Sequence, residues 1–430
     1  MDLQLKDKTT LVTAPPRASR WPASNGAAAA AARSREGVMK WLGTLLPAGL
    51  LLLALPAVAA EPASLERWRS YSGVTWEAPA EGNVAFSNSA NAPIAGIHFD
   101  GAGRAFVSTP RLLSPQAPAT LSQLDTRVEA GPARLTAFPS VEGNEVTGDP
   151  AAHLRNVLGF HIDRRNGWLW ALDMGFVAGE AEAPPGGQKL VVYDLATGRV
   201  VRRIPLDAVA DRKGSFLNDV VVDERRRIAY ISDSGLRSAP ANQAAIIVVE
   251  LDSARARRVL HQHASVMPEP GVKVVSHGED VWPGNPLTLG INGVALSPKA
   301  DTLYWTVTTG TKAHAVKTVL LRNWQASDAQ IRAAVVPGGD VGGNTDGIVA
   351  APDGRVYVTD VTRNGIVRLD PRTRKSELVA SHEGVYWPDT PAITPDGYLV
   401  FTASRLNAHF AGTVKPGAER YELWRMRLAN

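Results

Sequence analysis

Cysteine is absent from all 430 residues. That excludes disulfides, thiolate metal centres and a cysteine nucleophile, so stability has to come from the packed core. A G-x-S-x-G elbow, an H-E-x-x-H helix and a G-K-[ST] phosphate loop are also missing, and the glycine-rich stretch at 338–343 leads toward a strand-like run rather than a helix. Long apolar runs are scarce. The one within residues 41–55 is interrupted by Pro47 and followed by Pro56, which makes it short for a membrane span. The formal charge is +4, but of the 46 Lys/Arg and 42 Asp/Glu, seven and three fall in residues 1–60, leaving equal numbers of each sign in 61–430. Such a chain lacks the concentrated positive surface that nucleic acid or anionic lipid requires, so neither is expected as a partner.

The first 60 residues read as two pieces. Met39-Lys40, the apolar stretch and Ala57-Val58-Ala59-Ala60 have the charged start, short hydrophobic core and small-residue cleavage site of a signal peptide over 39–60. The expected product begins near Ala60 or Glu61, is secreted or periplasmic, and is not stably inserted in a membrane. Residues 1–38 are Ala-, Arg- and Ser-rich without usable periodicity, and read as a non-native or disordered extension ahead of a true start at Met39. Residues 61–430 are expected to form one domain.

What the chain does contain is a repeat. Six short apolar runs, at 96–100, 158–163, 218–223, 292–297, 346–351 and 389–394, each end in a turn and are followed by a second strand-like run. A hairpin repeated at this spacing cannot bury both faces alone, which predicts an all-β fold, a six-bladed β-propeller. The inner strand of each blade would run along a central channel, so equivalent positions converge on one level of it. Counting five positions back from Asp163, Asp223, Ser297, Ala351 and Thr394 gives Leu158, Asn218, Asn292, Asp346 and Asp389. Asn and Asp are common where a loop becomes a strand, yet turn preference does not explain one register position in four consecutive blades. Trp282-Pro283 and Trp387-Pro388 precede inner strands, where the rings either wall a ligand pocket or cap the propeller face. A short helix is predicted from Ser327 as N-cap through Arg332.

Phe216-Leu217-Asn218-Asp219-Val220 with Ser232-Asp233-Ser234-Gly235, Gly290-Ile291-Asn292-Gly293, and Val157-Leu158-Gly159-Phe160 with Leu169-Trp170-Ala171-Leu172-Asp173 resemble the yellow/major royal jelly protein family. The resemblance runs from about residue 90 onward. It implies a secreted six-bladed propeller with a small aromatic amine or related ligand in its channel; some members are linked to dopachrome conversion, which makes a tautomerase one alternative. On this reading Phe160, Asp389, Trp282 and Trp387 contact the ligand.

A wider similarity extends to regucalcin/gluconolactonase-type propellers, whose channel calcium is held by Asn, Asn, Asp and a Glu. Asn218, Asn292 and Asp346 match three of those ligands, while Leu158 stands where the Glu would be. The alternative it implies is a divalent-metal-dependent lactonase or esterase with Ca2+ as cofactor. A metal held there would polarise a lactone carbonyl while Asp346 or His161 handles a proton.

Overall fold

The computed structural model describes residues 64–77, 83–84 and 88–428. The expectations for the signal peptide and for residues 1–38 lie outside the described residues. Among the described residues no helix is long and apolar enough to cross a membrane.

Each predicted hairpin begins a four-stranded antiparallel blade. Blade I comprises Ile97–Phe99, Ala105–Ser108, Leu121–Leu124 and Ala130–Ala137. Blades II to V begin with inner strands Val157–Asp163, Leu217–Asp223, Ile291–Leu296 and Ile348–Ala350, and each forms its own four-stranded sheet. Blade VI is built from both ends of the described chain: Pro388–Ile393, Tyr398–Ala403 and Tyr421–Arg427 are completed by Glu66–Glu77, which pairs antiparallel with Tyr421–Arg427. The same N-terminal strand pairs parallel with Ala130–Ala137, so blades VI and I share one continuous sheet. Inner strands pack in succession from I to VI and back to I, closing a six-bladed ring. Closure of this kind replaces the disulfides the chain lacks by making the first strand part of the last blade.

Burial is greatest in the second strands and falls toward the rim. Second strands such as Ile228–Asp233 are buried along their whole length, while the outermost strand of blade V, Lys375–Ser381, is mostly exposed and opens on Lys and Glu. Charged outer edges keep a ring of open sheet edges from pairing with other chains. The helix after Ser327 is present as Asp328–Ala333, with Ser327 and Gln330 forming a reciprocal capping box.

The repeated acids at strand ends have two local tasks. Asp100, Asp163 and Asp223 close the inner hairpin turns by accepting backbone N–H bonds from Arg104, Asn166 and Arg226. Buried Asp173 and Asp233, at the ends of the second strands, accept from Arg155 and Asn156 and from Phe216, just ahead of the inner strands of blades II and III. They hold the leading loops and so set where each inner strand begins.

Candidate functional site

Inner strands II, III, IV and VI shift register at their start, between Val157 and Phe160, Leu217 and Val220, Ile291 and Val294, and Asp389 and Ala392. A β-bulge there sets two consecutive residues against one on the partner strand and re-aims their side chains. N–H groups at the start of the inner strands, with or without such a shift, are taken up by hydroxyls on the second strands: Gly96, Asp219 and Gly347 donate to Ser108, Ser232 and Thr359 at 2.9, 3.0 and 2.9 Å. The first residue of each pair forms the register ring, Ala95, Leu158, Asn218, Asn292, Asp346 and Asp389. The second is Gly96, Gly159, Asp219, Gly293, Gly347 and Thr390. Glycine is needed because neighbouring blades meet here: a Cβ on Gly159 would lie 2.4 Å from the Asn218 carbonyl oxygen, and one on Gly347 2.3 Å from Pro391 Cδ.

A cavity of about 880 Å³ occupies the channel above this ring, and all of its members except Ala95 line it. One layer up, His98, His161, Val221, Ala295, Val349 and Ala392 form a second ring, two histidines on adjacent blades facing four apolar walls. The mouth lies at the hairpin turns, with Arg165, Glu224, Arg225 and Lys299 at its edge.

Three carboxylates share the floor. Asp346 is buried; Oδ2 accepts the Trp387 indole N–H at 2.5 Å and Oδ1 accepts the Asn292 amide N–H. Asn292 also donates to Thr308 Oγ1 at 2.9 Å. Burial, and then the charge of Asp389, push the Asp346 carboxyl well above the usual range. Burial likewise raises Asp389 to about 6 and Asp219 to about 7. Asp219 spans two blades, accepting from Val220 N at 2.8 Å and from Val294 N of blade IV at 3.2 Å. Asn218 is 6% exposed, lines the cavity and has no side-chain hydrogen bond among the described residues. The floor is therefore acidic, and among the described residues no Lys or Arg side chain is paired with its carboxyls.

On the wall, His161 Nε2 lies 3.2 Å from Glu224 Oε1, and Glu224 Oε2 accepts Arg165 N at 3.1 Å. Burial opposes ionisation of Glu224, but the His161 hydrogen bond and charge hold its carboxyl below the ordinary value. His98, its ring centre 6.4 Å from that of His161, is pushed down to about 3 by burial and then by His161 and Arg164, and stays neutral.

The structure thus brings Asn218, Asn292, Asp346, Asp389 and His161 to one cavity, with His161 on blade II, one layer above the acids. Three expected ligand contacts lie elsewhere. Phe160 faces the layer between blades I and II, packed with Phe106, Val157 and Ile162, because the bulge turns it off the channel. Trp282 and Trp387 cap the face: they belong to an apolar cluster with Ala95, Leu158, Val281, Leu289 and Leu406 that backs the floor, and neither lines the cavity. Trp282 donates its indole N–H to the Asn407 carbonyl at 3.1 Å. Trp387→Phe keeps the packed ring but strips Asp346 of a donor, so a loss of about 1–3 kcal/mol in urea denaturation at neutral pH is expected; an unchanged midpoint would mean that this bond contributes nothing.

Asp219, Glu224 and His98 were not singled out from sequence. The signal for Asp219 lay in the repeat itself, an acid where four other blades carry glycine. For His98 it was the position two before Asp100, matching His161 two before Asp163.

Calcium takes six to eight oxygen ligands at roughly 2.3–2.6 Å. Here Asn292 turns its nitrogen toward Asp346, both Asp346 oxygens already accept N–H bonds, and the ring positions of blades I and II are Ala95 and Leu158. Among the described residues no group of three or more His, Asp or Glu side chains is placed to share a metal ion. As arranged, Asn218, Asn292 and Asp346 do not form a calcium shell.

A ring of six hairpin-led blades around a polar-floored channel defines a six-bladed β-propeller with an internal site. The chain belongs to the major royal jelly protein family, whose model matches residues 156–430. Protein yellow of Drosophila subobscura is 30% identical over 196 residues, 42% of this chain and 33% of that protein. Protein yellow of Drosophila erecta is 32% identical over 133 residues, 30% of this chain and 24% of that protein. The chain thus spans about a third or less of the length of the curated relatives it matches. Two solved structures with similar folds are the calcium-binding protein regucalcin of Agrobacterium tumefaciens (TM-score 0.44, 16% identity, 79% of this chain and 93% of that one) and a gluconolactonase of Xanthomonas campestris (TM-score 0.45, 14% identity, 79% and 86%). Likeness at this level is one of fold and says nothing of chemistry here.

Proposed function

We propose that this chain is an exported channel-binding propeller that takes a small organic cation, an apolar or aromatic body bearing an ammonium group. One observation supports the reading above the others: Asp219, Asp346 and Asp389 share the floor with no Lys or Arg paired to them among the described residues, beside Asn218, whose side chain has no hydrogen bond there, and beneath walls of Val221, Ala295, Val349 and Ala392. An ammonium at the floor relieves the repulsion among the acids and donates up to three hydrogen bonds, while its hydrocarbon body removes apolar wall from water. A nucleic acid or a stable membrane anchor has no part in this reading.

Two enzymatic readings compete. A tautomerase needs a group that both takes and gives a proton near neutrality, and Asp219, raised to about 7, has that property. The calcium-dependent lactonase needs Asn292 and Asp346 rearranged into a shell of oxygens.

Calorimetric titration of tyramine, calcium chloride and a small lactone into wild type and Asp346→Asn separates these readings. Tyramine should bind wild type, with affinity reduced roughly 30-fold or more in the variant, as expected when one partner of a buried charge pair is removed. Calcium binding that the substitution abolishes, accompanied by lactone hydrolysis, would replace the binder with the hydrolase. Conversion of a dopachrome-like substrate that Asp219→Asn eliminates would establish the tautomerase.

A further inference from the structure

The two ends of the cavity carry opposite charge. At the floor stand the three aspartates. At the mouth, the turns of blades II, III and IV supply Arg164, Arg165, Arg225, Arg226 and Lys299 to the lining, against Asp223 and Glu224. Both acids are already engaged, Asp223 with Arg226 at 2.8 Å and Glu224 with His161. Arg164 is engaged as well, reaching across the mouth to donate to the carbonyls of Phe99 in blade I and Ile393 in blade VI at 3.0 and 2.6 Å. The side chains of Arg165, Arg225 and Lys299 make no hydrogen bond or ion pair among the described residues, and all three residues are exposed. The turns of blades V and VI bring no charge to the lining.

Charged turns are ordinary, and one of these residues alone would need no explanation. Their placement is what matters. A purely cationic ligand would have to pass three exposed positive charges to reach the aspartates, which slows its approach and disfavours it once bound. A ligand with an anionic group at its other end meets attraction at both ends. From Asn218 to Glu224 the inner strand runs six residues, about 20 Å of backbone at the usual rise per residue; the hydrogen-bond lengths at both ends and the reach of the long Arg and Lys side chains take up several ångströms of that span, and the two charges of such a ligand must still be well separated.

We infer that the ligand is a long zwitterion, with its ammonium group at the Asp219/Asp346/Asp389 floor and a carboxylate or other anionic group at the Arg165/Arg225/Lys299 side of the mouth. This rests on the ammonium reading above and narrows it. The chemistry excludes α-amino acids as the preferred class, because their ammonium and carboxylate groups are bonded to the same carbon and cannot reach both ends.

The test is calorimetric titration of 6-aminohexanoate, 8-aminooctanoate and 11-aminoundecanoate, each beside the alkylamine and the alkanoate of equal length, into the whole chain and into its Arg165→Ala/Arg225→Ala/Lys299→Ala variant. These side chains are exposed on turns, so the fold is not at stake. In wild type the longest aminoalkanoate should bind about tenfold more tightly than its alkylamine, the size expected of a few exposed charge contacts acting together. The advantage should shrink for the shortest pair and with added salt. In the variant the aminoalkanoate should weaken and the alkylamine strengthen, bringing their ratio close to one. An alkylamine that binds wild type as well as or better than every aminoalkanoate, and that Asp389→Asn weakens, overturns the zwitterion and leaves the ammonium reading standing. If neither class binds, both readings fall together.

Discussion

Asp389→Asn is expected to make the unliganded protein more stable and a worse binder. Asp389 Oδ1 accepts its own chain's Thr390 N at 2.6 Å, a bond that an asparagine oxygen can keep. What the substitution removes is one of three carboxyls that share the floor and oppose one another's ionisation. With the Asp389 carboxyl raised from 3.8 to about 6, the ionised form is disfavoured in the folded state by an amount on the order of 1–3 kcal/mol at pH 7.5, and the variant should recover much of it. The sign follows from proton linkage. Between about pH 4 and about pH 6 the folded chain holds a proton on Asp389 that the unfolded chain has lost, so stability from this group falls as pH rises through that window. The gain of Asp389→Asn over wild type should therefore be full above about pH 6 and vanish below about pH 4. Comparing the two proteins at each pH cancels the opposing contribution of histidines such as His98. Paired urea denaturations at pH 4, 6 and 7.5, with tyramine titration at pH 7.5, read both effects; affinity should drop by about 2 kcal/mol, roughly 30-fold. A variant less stable at pH 7.5 and unchanged in binding would show that the acids are compensated in solution.

Gly159→Ala should be among the most damaging single-methyl additions in the chain. The new Cβ would lie 2.4 Å from the Asn218 carbonyl oxygen and 2.7 Å from Asp219 Cα, both backbone atoms of the next inner strand. No rotamer change relieves such a contact. Either blade II moves away from blade III or the bulge that aims Asn218 and Asp219 into the cavity is lost. Overpacking of this kind costs roughly 3 kcal/mol or more, and ligand binding should weaken with it because the floor residues shift. Gly101→Ala is the control, since nothing lies within 4 Å of its added Cβ. Equal urea midpoints for the two variants would remove the close approach of blades as the reason for glycine at this register.

The channel floor shows how far one-dimensional reasoning reaches. Asn218, Asn292, Asp346 and Asp389 could be picked out because a propeller repeats the same backbone path, so equal offsets from the strand-end residues mean equal depth along the axis. The same count applied to Asp100 yields Ala95, which closes the ring on its apolar side. Phe160, expected at the ligand, packs instead in the inter-blade core, because the bulge at the start of its strand turns it off the channel. Asp219 was passed over for the same reason, since two consecutive side chains reach the axis where a regular strand would present one.

Composition and periodicity by themselves determined the fold class, the number of blades and the depth at which polar side chains would meet, because each depends on a repeat that can be counted along the chain, while the family was legible only through its resemblance in particular runs. Tertiary structure alone decided that the N-terminal strand completes blade VI, that Trp282 and Trp387 cap the channel rather than line it, that Asn292 presents nitrogen to Asp346, and that Asp219 and Glu224 join the site. Those facts depend on which neighbours a residue meets across blades, and the partners are as far apart in sequence as Glu66 and Arg425 or Asn292 and Asp346. The charge state of the floor belongs with them, since three carboxylates perturb one another only after folding has brought them together and excluded the water that would screen them.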